Sequence, residues 1–169
     1  VKILFIDGYN VINSWPNLKP IKEYSYDSAR QKLIEMLQNY ATYKGYKIFI
    51  VFDAHMVPGN LEKKEKLDNI VVVYTKEGET ADSFIEKIID QIGRKVDVCV
   101  VTSDSLEQQL AFQRGATRMS SLEFYFEVEE ISKRIGKKTE NQFVEQRNPL
   151  ENRLEKDVLE KLEKIRRSR

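Results

Sequence analysis

A single cysteine and a single histidine stand among the 169 residues of this chain, and their scarcity removes several kinds of chemistry at once. The lone thiol, Cys99, sits in the apolar run VDVCVVTSD. It makes no disulfide framework, suits a reducing compartment, and is expected to be a small buried hydrophobe. With His55 the only imidazole, a zinc site built from nitrogen and sulfur is not available, and any bound metal has to be a hard cation held by oxygen. Long apolar runs are also missing. None approaches the about 20 residues that cross a bilayer, and the sequence opens on a strand-like segment in place of a charged leader. A soluble, cytoplasmic protein without a membrane partner is the expectation. Neither a G-x-x-x-x-G-K-[ST] loop nor a G-x-G-x-x-G turn after the first strand is present, so no small-molecule organic cofactor is expected.

What the chain does contain is enough for one domain and a tail. Its 169 residues are sufficient to bury roughly two-thirds of the unfolded surface. The net charge of +1 hides an asymmetry: residues 1–132 carry 16 Lys/Arg against 20 Asp/Glu, and residues 133–169 carry 12 against 7. An acidic body with a basic tail suits a protein that holds cations in one place and meets phosphates with another. The composition divides the chain into a domain over residues 1–135 and a basic linker with a C-terminal helix over residues 136–169.

The opening stretch, VKILFIDGYN, organises the rest. Ile3 to Ile6 form a near-continuous apolar run of the kind found in a central parallel strand, and Asp7 then places a carboxylate at its C-terminal end. Asp7-Gly8 is equally ordinary turn chemistry. Val11 to Tyr26 lacks a period, holds Pro16 and Pro20, and reads as a long loop. In it Trp15, with Tyr24 or Tyr26, either stacks on bases or pins the loop to the body. Asp27 is a plausible N-cap for a helix carrying Leu33, Leu37, Tyr40 and Ala41, which Gly45 stops. The run IFIVF at 48–52 is a second strand, also followed by an acid, Asp53. Met56 to Asp68 reads as an exposed loop or short helix, where Lys63, Lys64 and Lys66 are candidate phosphate contacts. Ile70 to Tyr74 is a third strand, and Thr80 caps a helix that runs to Gly93 with Glu79 and Asp82 at its start. Acids there also complement the helix dipole. Val96 to Thr102 is a fourth strand, followed by Ser103-Asp104, where Asp104 with Glu107 resembles a capping box. Ala116 to Met119 is a short fifth strand. The helix after it presents Leu122, Tyr125 and Phe126 as expected core. Residues 137–147 read as a linker, and Asn148-Pro149 opens a closing helix with a stripe of Leu150, Leu154, Val158, Leu162 and Ile165 and a basic end, Arg166, Arg167 and Arg169.

Strands alternating with helices predict an α/β fold with a mainly parallel sheet and helices on both faces. Such a sheet presents all its C-terminal strand ends on one edge, so Asp7, Asp53 and Asp104, with Asp82 opening a helix from the same edge, are expected to meet there. Crowded carboxylates repel one another unless a cation neutralises them. A divalent Mg²⁺ or Mn²⁺ is the economical candidate, and phosphodiester hydrolysis is the chemistry that follows. A metal-dependent phosphatase on a small nucleotide is a rival from the same donors.

Four motifs, IDGYN at 6–10, VFDAH at 51–55, ETAD at 79–82 and TSD at 102–104, closely resemble those of the YacP-like NYN ribonucleases, a bacterial branch of the PIN-like nuclease superfamily. The resemblance covers residues 1 to about 135. It implies a PIN-like α/β fold and a metal-dependent endoribonuclease acting on single-stranded RNA. Carried over, Asp7, Asp82 and Asp104 hold the metal with Asp53 nearby, Asn10 orients substrate or water, and Ser103 assists. It further implies mRNA as substrate and the ribosome as partner, with the basic tail as an RNA contact. The alternative from another class is a catalytically silent RNA- or ribosome-binding module of the same fold.

Overall fold

The computed structural model describes residues 2–53, 63–93, 96–105, 108–109 and 115–153, with side chains as far as residue 137. His55, Glu107 and the closing stripe from Leu154 onward, with its terminal arginines, lie outside the described residues, and of Lys63 only the backbone is described. The chain forms two compact units, Val1–Ile131 and Ser132–Arg169.

In chain order the elements are β1 (Ile3–Asp7), α1 (Gly8–Ser14), α2 (Lys19–Tyr24), α3 (Tyr26–Lys44), β2 (Lys47–Phe52), β3 (Lys63–Leu67), β4 (Ile70–Tyr74), α4 (Ala81–Ile92), β5 (Val98–Val101), β6 (Thr117–Met119) and α5 (Ser121–Arg153). The sheet runs β3-β4-β2-β1-β5-β6. β1, β2, β4, β5 and β6 are mutually parallel, and β3 alone runs antiparallel against β4. Strand order therefore reverses beside β1: β2 and β4 lie on one side, β5 and β6 on the other. In open α/β sheets the crevice outside the C-terminal ends at such a reversal is where ligands bind.

Period-two alternation divides the apolar residues of the strands between two layers. Phe5, Val51, Val73, Val98 and Val100 form one cluster with Ala81, Phe84, Ile85 and Ile89 of α4. Leu4, Ile6, Ile48, Ile50 and Phe52 alternate with them and are equally buried. On that second side Gly8 approaches Phe52 so closely that a Cβ would meet the ring at 2.3 Å. Gly8 is thus required by packing; it does not adopt a positive φ. Cys99 is buried, and burial pushes its thiol above the ordinary value of 9.0, with the Thr117 hydroxyl pulling the other way.

The ends of the helices follow local chemistry. Gly45 closes α3 in the left-handed region at φ 69°, and the Thr80 hydroxyl accepts from Ser83 N–H to open α4. The N-cap of α3 is Ser25, with Asp27 in the first turn, two residues from the expected cap.

Four expectations need correction. Val11 to Tyr26 is not a loop but carries α1 and α2; Val11, Ile12, Trp15 and Leu18 are fully buried, and their irregular spacing reflects two short helices joined by a turn. Residues 63–67 form edge strand β3. A charged sequence suits that place, because lysines on an edge discourage pairing with another chain. In α5 the core residues are Phe124, Val128 and Ile131, whereas Leu122 and Phe126 are 47% and 67% exposed. Finally, residues 137–147 continue the helix as far as Arg153. Their polar residues are mostly good helix formers, and the one glycine, Gly136, has open space around it.

Candidate functional site at the C-terminal edge of the sheet

Asp7 is the last residue of β1 and the N-cap of α1, its carboxylate accepting from Asn10 N–H at 3.4 Å. It shares pleat parity with Phe5, the face that α4 covers. Asp53 directly follows β2. Asp82 is the second residue of α4, beside Ala81, which packs in the cluster of Phe5 and Val51. Asp104 lies three residues beyond β5, its N–H donating to the Thr102 hydroxyl at 3.1 Å and its carbonyl accepting from Gln108 N–H. The parallel topology brings these acids to one edge from four separate segments.

Next to them is a hydrogen-bonded junction centred on Asn10. Its Oδ1 accepts from Ser103 N–H at 2.8 Å and from the Ser121 hydroxyl at 2.5 Å. Ser121 N–H in turn donates to Ser103 Oγ at 3.3 Å, and the Ser121 carbonyl accepts from Trp15 Nε1 at 2.8 Å. The junction ties α1, the exit of β5 and the start of α5 across the point where strand order reverses. Ser121 is fully buried. Nothing in its sequence surroundings marks it, since a serine opening a helix is ordinary capping chemistry.

Trp15 is fully buried, stacked on Phe124 at 5.8 Å and edge-on to Tyr125 at 5.4 Å. It pins the chain to the body and is not a platform for bases. Tyr26 packs edge-on against Tyr9, leaving Tyr24, 92% exposed, as the solvent-facing aromatic of that stretch.

Tyr9, one residue before Asn10, enters a different environment. Its ring meets Phe52 at 5.1 Å and its hydroxyl accepts from Arg30 Nη1 at 3.0 Å. Arg30 is buried and also donates to Asp27 at 3.2 Å. Burial raises the Tyr9 phenol above its ordinary value of 10.0 despite the opposing pull of Arg30. Burial works against the Arg30 charge as well, but Tyr9, Tyr74 and Asp27 outweigh it, and the guanidinium is held above its ordinary range.

At α4, Lys64 of β3 and Lys87 lie 5.5 and 5.3 Å from the centre of the Phe84 ring. Lys87 also pairs with Glu79 at 3.1 Å, while the other oxygen of Glu79 is buried without a partner among the described residues. Lys64 and Lys66 are exposed on the edge strand.

Among the described residues, no three carboxylate, imidazole or thiol groups come together as a ready-made site, so the expected tight cluster is not preassembled. The available donors are nevertheless oxygen, which suits a hard cation. Mg²⁺ in particular commonly takes one or two protein carboxylates, keeps several waters and completes its shell with substrate phosphate. A sparse acidic edge fits that mode and does not fit a closed cage.

Comparison with known proteins decides the family. The YacP-like NYN domain matches residues 4–167. The chain belongs to the YacP-like NYN domain family. Among its relatives, YacP of Bacillus subtilis (strain 168), described only as uncharacterized, is 40% identical over 166 residues, covering 98% of this chain and 96% of that protein. A crystal structure of Rae1 (YacP) from Bacillus subtilis superposes with a TM-score of 0.76 at 40% identity, covering 99% of this chain and 95% of the other. A mutant form of the same protein gives 0.75 at 38% identity over 86% of each chain. The NYN and PIN-like fold expected from the motifs is therefore present, and with it a nuclease-like, RNA-related domain. Among the described residues no helix is long and apolar enough to cross a membrane. The family match extends through residue 167, beyond the motif-bearing stretch.

Proposed function

We propose that the chain is a metal-dependent endoribonuclease that cleaves single-stranded RNA, with mRNA as its substrate and the ribosome as a place of action. What supports the reading is that Asp7, Asp53 and Asp104 end or follow parallel strands and Asp82 opens the helix after another, so that topology directs all four to the C-terminal edge where strand order reverses, within a family of nuclease-like domains. Asp7 and Asp104 flank the crevice between β1 and β5 and are the residues that would hold Mg²⁺ or Mn²⁺, with Asp82 and Asp53 beside them. The cation, when bound, supplies a Lewis acid for the phosphoryl oxygen and acidifies water for attack.

The chain's own residues supply position and charge. Asp7 and Asp82 set a negative field at the crevice that draws the cation in. Thr80, by capping α4, fixes where Asp82 stands. Lys64 and Lys66 on the edge strand, with Lys63, meet the RNA backbone, contributing a salt-dependent attraction without reading sequence. The basic residues after position 132 extend that attraction.

The test is cleavage of end-labelled single-stranded RNA. Wild type is expected to cut in Mg²⁺ or Mn²⁺ and to stop when a chelator is added, and Asp82→Asn to be slower by about 100-fold, the scale of losing one transition-state contact. Cutting that persists undiminished in chelator rules the mechanism out. The absence of a preassembled three-acid group among the described residues favours one second reading, an RNA-binding module that does not cut. RNA binding that survives both chelation and Asp7→Asn, with no cleavage in any metal, supports it.

A further inference from the structure

We infer that Asn10 meets the substrate phosphate as a hydrogen-bond donor, through Nδ2, and that Ser121 is the positioning residue that holds it in this role. The inference rests on the nuclease reading and specifies one contact within it.

The orientation of the Asn10 amide follows from its partners. Ser103 N–H is a backbone group that can only donate, so the atom 2.8 Å from it has to be the side-chain oxygen. The Ser121 hydroxyl donates to the same oxygen. An amide oxygen has two lone pairs, and both are engaged. No position is left on Oδ1 for a cation, and the NH₂ branch points away from both serines. Asn10 is only partly buried, and among the described residues its contacts are those with Asp7, Ser103 and Ser121. The pair of N–H donors on Nδ2 is therefore the half of the amide left for a ligand, on a residue whose backbone N–H bonds Asp7.

Ser121 is suited to fixing that orientation because its own backbone is held on both sides. It is fully buried, opens α5, and has its N–H donating to Ser103 Oγ and its carbonyl held by Trp15 Nε1. The first N–H groups of a helix have no partner within it, so Ser103 Oγ supplies the one Ser121 lacks. Trp15 is in turn clamped by Phe124 and Tyr125. A donor fixed before the reaction stabilises charge developing on a phosphoryl oxygen without first having to reorganise, and removing one typically costs about 10²–10³-fold in rate.

Four variants and two readouts test this. Asn10→Asp keeps an oxygen for both serines but loses the NH₂, and is expected to cleave single-stranded RNA about 100-fold slower than wild type, as slow as Asn10→Ala. Ser121→Ala is expected to lose about tenfold in kcat with KM and the half-saturating Mn²⁺ concentration unchanged. Ser121→Thr, which keeps the hydroxyl, restores the rate. The second readout needs no catalysis: in chelator, adding single-stranded RNA to nitrogen-15-labelled wild type shifts the Asn10 side-chain NH₂ resonance, and Ser121→Ala reduces that shift. Near-wild-type cleavage by Asn10→Asp would mean that the oxygen is the working atom and overturns the donor role. Wild-type kcat in Ser121→Ala overturns the positioning role. If Ser121→Ala does not fold, the Asn10→Asp rate and the wild-type resonance decide. A wild type that cleaves no RNA in any metal defeats the nuclease reading and this inference with it, whereas a wild type that cleaves while Asn10→Asp cleaves equally well defeats the inference alone.

Discussion

Tyr9 and Asn10 are adjacent in one short helix, yet they face opposite problems. Tyr9 turns into an aromatic and cationic pocket of Phe52, Tyr26 and Arg30, where its ring is packed and its hydroxyl is occupied. Asn10 turns toward the exit of β5, where its oxygen is saturated by two donors and its nitrogen is left to the role inferred above. Both are polar and both are tied to distant parts of the chain. The difference is that the Tyr9 side uses its polar groups up in holding the fold, while the Asn10 side uses half of its amide and presents the rest. Partial burial with one satisfied branch marks a residue positioned for something outside the protein more clearly than polarity does.

The packed side of this pair depends most strongly on the residue just before it. Gly8→Ala places a methyl group against the Phe52 ring, where the Cβ would sit 2.3 Å from a ring carbon. Overpacking of this kind costs about 3 kcal/mol, so a urea titration is expected to show a lower midpoint with little change in slope. Because Phe52 also supports Tyr9, the variant disturbs the packed side before the Asn10 side. A wild-type midpoint would mean that the ring yields freely and that Gly8 is there for another reason.

A smaller effect is expected from Tyr9→Phe, which keeps the ring and removes the acceptor for Arg30. Leaving part of a buried guanidinium unpartnered costs about 1–2 kcal/mol, and RNA cleavage should be unaffected. Alkaline stability sharpens the test. The Tyr9 phenol is raised in the folded state by burial, so above the ordinary value of 10.0 the unfolded chain releases a proton that the folded chain keeps. That contribution is fully present below the unfolded value and is lost as pH rises through it toward the folded one. Tyr9→Phe is expected to lose less stability than wild type over that alkaline window. An equal decline in both proteins would place the titration elsewhere.

The parts of the fold that could be read from sequence are those with strong local signals. Apolar runs such as ILFI and IFIVF specify buried parallel strands, and Thr80 and Gly93 bracket α4 because capping is a local matter. The acidic edge was legible for a related reason: topology alone carries the ends of parallel strands to one side. Less accessible were features set by distant partners. Trp15 looks like a loop aromatic until Ser121, 106 residues away, accepts its indole N–H. β3 looks like a charged loop because an edge strand has to bond on one side only. The long reach of α5 is hidden by a glycine that the helix tolerates. In the motif IDGYN, the sequence shows that Asp7 and Asn10 are together but not that Gly8 is held by Phe52 or that the amide of Asn10 is held by two serines.

The most direct test of the central claim is the rate of single-stranded RNA cleavage by Asp7→Asn at saturating Mg²⁺, with its thermal midpoint measured alongside. Asparagine caps a helix as well as aspartate does, so the contact with Asn10 N–H and the fold should survive while the charge at the crevice is lost. The account predicts a fall of about 100-fold or more in rate at an unchanged midpoint. Cleavage at the wild-type rate would contradict it and leave Asp7 as a helix cap.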